Sequence, residues 1–133
     1  MNTDPIRDKE AMISGMRPNL LPGTFVFVSS DDPDLIAAAQ ATFREAEGMS
    51  LVLPVGIAKA AGLQTEPRMR QITLEVHSSL EGVGLTAAVS SRLAAKNIPC
   101  NMIAGLRHDH VFVPETMADE ALSELRDLSS GPR

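Results

Sequence analysis

The stretch ITLEVHSSLEGVGLTA, residues 72–87, has the clearest structural pattern in this 133-residue chain. Apolar and polar residues alternate from Ile72 to Val76, a period of two that is typical of a half-buried β-strand. A turn rich in serine and glycine follows, and apolar residues then recur at helical spacing, which predicts a helix over residues 83–97. The stretch therefore predicts a strand, a turn and a helix in succession.

The chain downstream of this stretch continues the same architecture. Residues 100–104 and 110–113 are apolar runs that we interpret as two strands joined by a turn. A stripe of apolar side chains at helical spacing then extends from Ala118 to Leu128. The second half is thus predicted to have the order β-α-β-β-α.

The first half is less regular, and its pattern predicts the order α-β-β-α-β. Asp4 and Pro5 indicate the start of one helix, and the acidic run Asp31–Asp34 indicates the start of another. The predicted elements are a helix over residues 4–15, strands at 19–21 and 24–28, a helix with Leu35, Ile36, Ala39 and Phe43 on one face and Gly48 at its end, a strand at 51–53 and a helical turn at 58–61.

A short internal sequence repeat indicates that the two halves are related. Asn19–Gly23 followed by Phe25–Val28 resembles Asn101–Gly105 followed by His110–Val113. Each half lacks one strand of a complete βαββαβ unit, the first its opening strand and the second its closing one. We therefore expect the halves to pack side by side and to pool their sheets.

The predicted fold class is α+β, with two ferredoxin-like βαββαβ units in tandem whose antiparallel sheets carry helices on one face. The predicted organisation is an N-terminal unit at residues 1–63, a linker at 64–69, a C-terminal unit at 70–128 and a tail at 129–133.

Composition argues against several classes of partner. The chain has 17 acidic and 12 basic residues, no tryptophan or tyrosine and only four phenylalanines, so it lacks the charge and the aromatic platforms that nucleic acid requires. No apolar stretch resembles a signal peptide or approaches a membrane span, and the single Cys100 excludes an intrachain disulfide. We expect a cytoplasmic protein that contacts neither nucleic acid nor membrane.

Three motifs resemble a family of short bacterial proteins described as tandem ACT-like domains. These motifs are His77–Ala87 (HSSLEGVGLTA), Asn101–Gly105 (NMIAG) and His108–Pro114 (HDHVFVP). Weaker matches occur at Leu21–Gly23, Phe25–Phe27 and Arg44–Gly48, and the resemblance covers most of residues 17–125.

The resemblance implies ACT-type units and a regulatory function without catalysis. ACT-like domains bind amino acids at domain or subunit interfaces, regulate an attached or partner enzyme, and commonly dimerise through their sheets. Because we see no catalytic domain in this sequence, we expect a module that binds an amino acid or similar metabolite, forms a homodimer, and acts alone or through a partner enzyme.

The strongest candidate for the binding site is the turn that precedes the helix beginning near Val83. Helix N-termini leave N–H groups unpaired and carry partial positive charge, which suits a carboxylate. We expect the N–H groups of Gly84 and Leu85 and the hydroxyl of Thr86 to bind the carboxylate of an amino acid. The alternative is that Thr86 and the preceding serines only cap the helix.

The ammonium group of the ligand needs acceptors, which Asp109 or Asn101 would supply if the two turns converge. The run His108-Asp109-His110 has three alternative interpretations: a polar turn, a part of a small-ligand site, or a metal site. The complete set of candidate ligand-binding residues is His77, Ser78, Ser79, Val83, Gly84, Leu85, Thr86, Asn101, Ile103, His108, Asp109 and His110.

We expect no cofactor, no resident metal and no catalytic residue. Two alternative functions stay open at this point. One is a small metal-binding enzyme that uses His77, His108, Asp109 and His110, and the other is a dimerisation module that binds no ligand.

Overall fold

The computed structural model describes residues 8–76 and 80–131 and contains five helices and seven strands within these ranges. The helices are α1 (Lys9–Gly15), α2 (Pro33–Ala38), α3 (Val55–Ala60), α4 (Leu85–Ala95) and α5 (Ala118–Ser130), the last preceded by a 3₁₀ turn at Glu115–Met117. The strands are β1 (Arg17–Leu20), β2 (Phe25–Ser29), β3 (Ala41–Glu45), β4 (Gly48–Pro54), β5 (Met69–Glu75), β6 (Asn101–Ala104) and β7 (Asp109–Pro114).

The strands of both halves form one antiparallel sheet in the order β3-β4-β2-β5-β7-β6, with β1 paired to β5. β5 is the strand that joins the halves. Along one side it pairs with β7, and along the other it pairs first with β2, at Met69, and then with β1, from Ile72 to Glu75. The expectation that the two halves pool their sheets is confirmed.

Helices cover one face of the sheet in two separate groups. α1, α4 and α5 pack together over β1, β5 and β7, and α2 and α3 pack over β2 and β4. α1 belongs to the first group because Met12 and Met16 are almost completely buried among side chains of the C-terminal half. The N-terminal segment thus completes the core of the second half. No local sequence pattern predicts this contact, because the two segments are far apart in the sequence.

The other face of the sheet, which we call the concave face, curls over a third apolar cluster formed by Phe25, Val52 and Phe112. Ala41 on β3 and Ile103 on β6 lie at opposite edges of the sheet, yet they line the same small cavities. The sheet therefore bends until its two edge strands approach each other. The predicted α+β class, with antiparallel sheets and helices on one face, is confirmed.

Two predicted elements are wrong in extent. The first helix begins at Lys9 with Asp8 as its N-cap, not at Asp4, and residues 1–7 lie outside the described ranges. The second helix ends at Ala38, and the segment around Phe43 is the strand β3. A hairpin explains this difference, because β3 pairs over its whole length with β4 around a two-residue turn. The backbone hydrogen bonds of this hairpin stabilise the segment more than a helix with one stripe of four apolar residues would.

The remaining elements agree with the pattern in the sequence to within a few residues. The strand predicted from the alternation after residue 70 is β5, and the helix that follows the glycine-rich turn is α4. α5 buries Ala118, Ala121 and Leu125 and continues through Ser130, and the Ser129 hydroxyl donates a hydrogen bond to the Met16 carbonyl at 2.6 Å. The division into units at residues 1–63 and 70–128 stays a prediction. No helix in the described part of the chain is long and apolar enough to cross a bilayer.

Substitution of Gly84 by alanine should destabilise the fold by about 1–3 kcal/mol. Gly84 has a φ of +108°, and a Cβ there would lie 2.7 Å from Cδ of Lys9. Gly56→Ala is the matched control, because no atom lies within 4 Å of the point where its methyl group would stand, and alanine favours a helix by about 0.5–1 kcal/mol. Urea unfolding of both variants measures the difference, and equal free energies of unfolding would contradict the strain assigned to Gly84.

Candidate functional site

A cleft of about 520 Å³ opens where the N-terminus of α4 faces the beginning of β7. It lies on the helix-covered side of the sheet, and elements from both ends of the chain contribute to it. Its lining residues are Met12, Leu80, Gly82, Val83, Gly84, Leu85, Thr86, Ala87, Ala104 and Asp109.

The N-terminus of α4 forms one wall of the cleft. Its N-cap is Gly84, which has no side chain and so cannot itself accept a hydrogen bond from the N–H groups of the first turn. Leu85 is buried and anchors the helix to the core, whereas Thr86 is exposed on the cleft side. This wall carries partial positive charge and hydrogen-bond donors, the chemistry that holds a carboxylate.

Asp109 forms the opposite wall, at the first residue of β7 and directly across from Ala104 on β6. Its side chain is partly buried, and burial raises the pKa of the carboxyl, while the nearby His110 and His108 act to lower it. A cationic group bound beside this carboxylate would offset the cost of its burial. The cleft thus presents hydrogen-bond donors on one wall and a carboxylate on the other.

The structure brings together five of the residues selected from sequence, namely Val83, Gly84, Leu85, Thr86 and Asp109. His77, Ser78 and Ser79 lie outside the described residues. Gly82 belongs to the glycine turn that the sequence indicated, whereas sequence reasoning missed four residues of the cleft lining: Met12, Leu80, Ala87 and Ala104. Leu80 and Ala87 could have been predicted, because they lie next to the glycine turn in the sequence. Nothing in the sequence connects Met12 to a turn that lies so far downstream.

Four other selected residues lie away from the cleft lining. His110 follows Asp109 on β7 and therefore points to the concave face. Asn101 and Ile103 share that face, because they lie directly opposite Phe112 and His110 across the β6–β7 ladder. His108 lies near the end of β5, with its Nδ1 atom 3.5 Å from the Val76 carbonyl oxygen.

His110 takes part in a hydrogen-bonded chain of polar side chains on the concave face. Its Nδ1 lies 3.1 Å from the Thr73 hydroxyl and 3.3 Å from Nε2 of Gln71, and Oε1 of Gln71 accepts a hydrogen bond from Gln40 at 2.8 Å. An amide nitrogen only donates, so Nδ1 acts as an acceptor and the ring proton is assigned to Nε2. Burial lowers the pKa of His110, as does His108, while Asp109 acts to raise it.

No group of three histidine, cysteine, aspartate or glutamate side chains within residues 8–76 and 80–131 is arranged to share a metal ion. Asp109 and His110 occupy opposite faces of β7, which separates two members of the histidine cluster that the sequence suggested. Burial raises the pKa of the Cys100 thiol, which disfavours a reactive thiolate.

The chain thus combines an antiparallel sheet that pairs strands of both halves with a cleft of about 520 Å³ at the N-terminus of α4. The chain belongs to the ACT domain family: residues 5–70 and residues 66–127 each match an ACT domain. The resemblance to tandem ACT-like proteins is therefore confirmed. ACT domains are regulatory, and at this level the chain is a regulatory ligand-binding module.

Solved structures of several bacterial proteins share this fold. A Vibrio cholerae protein of unknown function, described as a possible transport protein, is 41% identical over 90% of this chain and 94% of its own, with a TM-score of 0.81. A protein from Agrobacterium tumefaciens is 13% identical, with a TM-score of 0.63 over 86% and 89% of the two chains. The regulatory subunit of aspartate kinase from Thermus thermophilus is 11% identical, with a TM-score of 0.61 over 84% and 95%. No curated protein matches the sequence.

His110→Asn should flatten the dependence of stability on pH. The pKa of His110 lies below its ordinary value of 6.5 in the folded protein, so the unfolded chain binds this proton more readily and the free energy of unfolding falls on acidification. Asparagine offers an uncharged acceptor in place of Nδ1. Chemical unfolding between about pH 7.5 and about pH 5.5 measures the slope, and an unchanged slope in the variant would contradict the assignment.

Proposed function

We propose that this chain is a non-catalytic regulatory module that binds a free α-amino acid in the cleft between α4 and β7. The observation that carries the proposal is that the two walls complement the two charges of a zwitterion. The donor-rich N-terminus of α4 forms one wall, and the Asp109 carboxylate stands on the other. A volume of about 520 Å³ suits a small metabolite.

In the proposed complex, the N–H groups of Leu85 and Thr86 and the Thr86 hydroxyl donate hydrogen bonds to the carboxylate of the ligand. The Asp109 carboxylate accepts hydrogen bonds from the ammonium group. The ligand side chain packs against apolar residues on the rim, where Leu80 and Val83 are 69% and 79% exposed. Burial of these two side chains would add hydrophobic stabilisation that the unliganded protein lacks.

A bound ligand can change the conformation of the protein because three structural elements meet at the cleft. A ligand held there contacts the N-terminus of α4, the start of β7 and Met12 on α1, so it favours the arrangement in which all three are close. The population shifts by the difference in affinity between the closed and open arrangements. We further propose that the module works in the cytoplasm as a homodimer and passes this shift to a partner enzyme.

A screen of thermal stability against the twenty amino acids and common divalent metal ions tests the proposal. One or a few of the amino acids should raise the melting temperature in a concentration-dependent way, because they bind the native state only. The α-carboxamide and the N-acetyl derivative of the same amino acid should each lose the effect, since each removes one of the two charges. A response to the derivatives equal to that of the parent compound would contradict the two-wall geometry.

Asp109→Asn and Thr86→Val should each weaken binding of that amino acid, with Asp109→Asn costing about tenfold or more in affinity. The variant His110→Asn is the control, because the next side chain on β7 points to the other face. Calorimetric titration gives the three dissociation constants. Unchanged affinity in both cleft variants would place the site elsewhere.

Two outcomes of the screen favour the alternative functions. If zinc or manganese stabilises the protein and no amino acid does, the result supports a metal-binding enzyme in which His77 is one of the metal ligands. A flat screen together with a persistent dimer supports an assembly module without a small ligand.

A further inference from the structure

Every phenylalanine ring of the chain lies on the concave face. The sequence has no tryptophan or tyrosine, and its four phenylalanines are Phe25, Phe27, Phe43 and Phe112. Phe25 and Phe27 both contact Phe112 edge to face, with ring centroids 5.9 and 5.5 Å apart. Phe43 shares this face because it lies two residues after Ala41 on β3, and Ala41 packs against the same cluster.

These rings do not all serve the core. Phe25 and Phe112 are buried, but Phe27 is 37% exposed and Phe43 is 73% exposed. A protein with few aromatic residues therefore leaves two of them open to solvent on a single face. Large exposed apolar side chains grouped in this way mark a binding surface more often than a packing site.

Two neighbouring cavities lie among these residues. One of about 140 Å³ is lined mainly by apolar side chains, including Phe27, Phe43 and Val52. The other, of about 80 Å³, is lined by the polar groups Gln40, Gln71 and His110. Ala41 and Ile103 line both cavities, so the two adjoin, and we refer to them together as the hollow, with an apolar body and a polar end.

We infer that this hollow is a second ligand site, separate from the cleft, for an uncharged molecule with an aromatic ring and one hydrogen-bonding group. Neither cavity has an aspartate, glutamate, lysine or arginine in its lining, which disfavours a charged ligand. A cavity of about 150 Å³ with apolar walls accommodates a benzene ring. The ring packs against Phe27 and Phe43, and the polar group bonds to the amide and imidazole at the other end.

The hydrogen-bonding capacity at the polar end supports this assignment. The Nδ1 atom of His110 is already occupied by Thr73 and Gln71, and the Nε2 atom lies beside Gly105. The Gln71 amide is buried and bridges to Gln40, so it is held in place before any ligand arrives. The second lone pair of Gln71 Oε1 can accept a hydrogen bond from the N–H of an indole or the hydroxyl of a phenol, beside the aromatic wall.

Indole is the most direct probe, because the protein contains no tryptophan and the fluorescence of bound indole is free of background. Titration of the full chain into indole should give a saturable rise in fluorescence anisotropy, with a dissociation constant on the order of a millimolar or tighter. Indole-3-acetate, which adds a negative charge, should bind at least tenfold more weakly. Absence of saturable binding at the solubility limit would overturn the proposal.

Two substitutions locate the bound ring. Ala41→Leu fills the junction of the two cavities and should abolish the anisotropy change, whereas Ala38→Leu adds the same atoms at an exposed position and should not. Phe43→Ala should weaken binding about fivefold to tenfold, and Leu106→Ala, which truncates an equally exposed side chain outside the hollow, should leave it unchanged.

Thr86→Val, in the cleft, should leave indole binding intact, which keeps this test independent of the proposed amino-acid site. Indole binding that survives Ala41→Leu would place the probe elsewhere and overturn the assignment. A change of oligomeric state in Phe43→Ala, without any indole binding to the parent protein, would show that the face is an interface between copies and would equally overturn it.

Discussion

The pairing of β5 with strands from both ends of the chain is the constraint on which the structure depends. β5 bonds to β7 along one side and to β1 and β2 in succession along the other, so neither half completes its sheet without it. The same strand buries Ile72 and Leu74 under the helices and holds Gln71 and Thr73 on the concave face. Because buried backbone N–H and C=O groups must be hydrogen-bonded, loss of the pairing along β5 would leave such groups unpaired in both halves at once.

The alternation of side chains along β7 then separates two chemistries that are adjacent in sequence. Asp109 faces the cleft with the N-terminus of α4, and His110 faces the hollow with Gln71. Val111 and Val113 continue into the helix-covered core, while Phe112 continues into the aromatic cluster. One strand thus presents a charged, donor-facing site to one side of the sheet and an uncharged, apolar site to the other, and the sheet itself keeps them apart.

Local patterns in the sequence are sufficient for the elements that depend on local chemistry. The alternation at residues 72–76 predicts β5, and the two glycines followed by a helical stripe predict α4 and the turn that forms one wall of the cleft. The apolar pattern around Phe43 leads to a wrong prediction of a helix. Four apolar residues at helical spacing are equally compatible with β3, whose partner strand β4 follows it in the sequence. Met12 cannot be assigned to the cleft from sequence, since its position depends on α1 packing across the whole chain. The grouping of all four phenylalanines is equally beyond local patterns, because it arises from the curvature of the sheet.

A backbone amide NMR titration of the full chain with the amino acid that stabilises it would show directly whether the ligand binds at the N-terminus of α4. We expect the largest shift changes at Leu85, Thr86 and Asp109, with slowed amide exchange in the first turn of α4 and little change at Ala41 or Phe43. Shift changes centred on the concave face, or spread without a focus at the N-terminus of α4, would contradict this expectation.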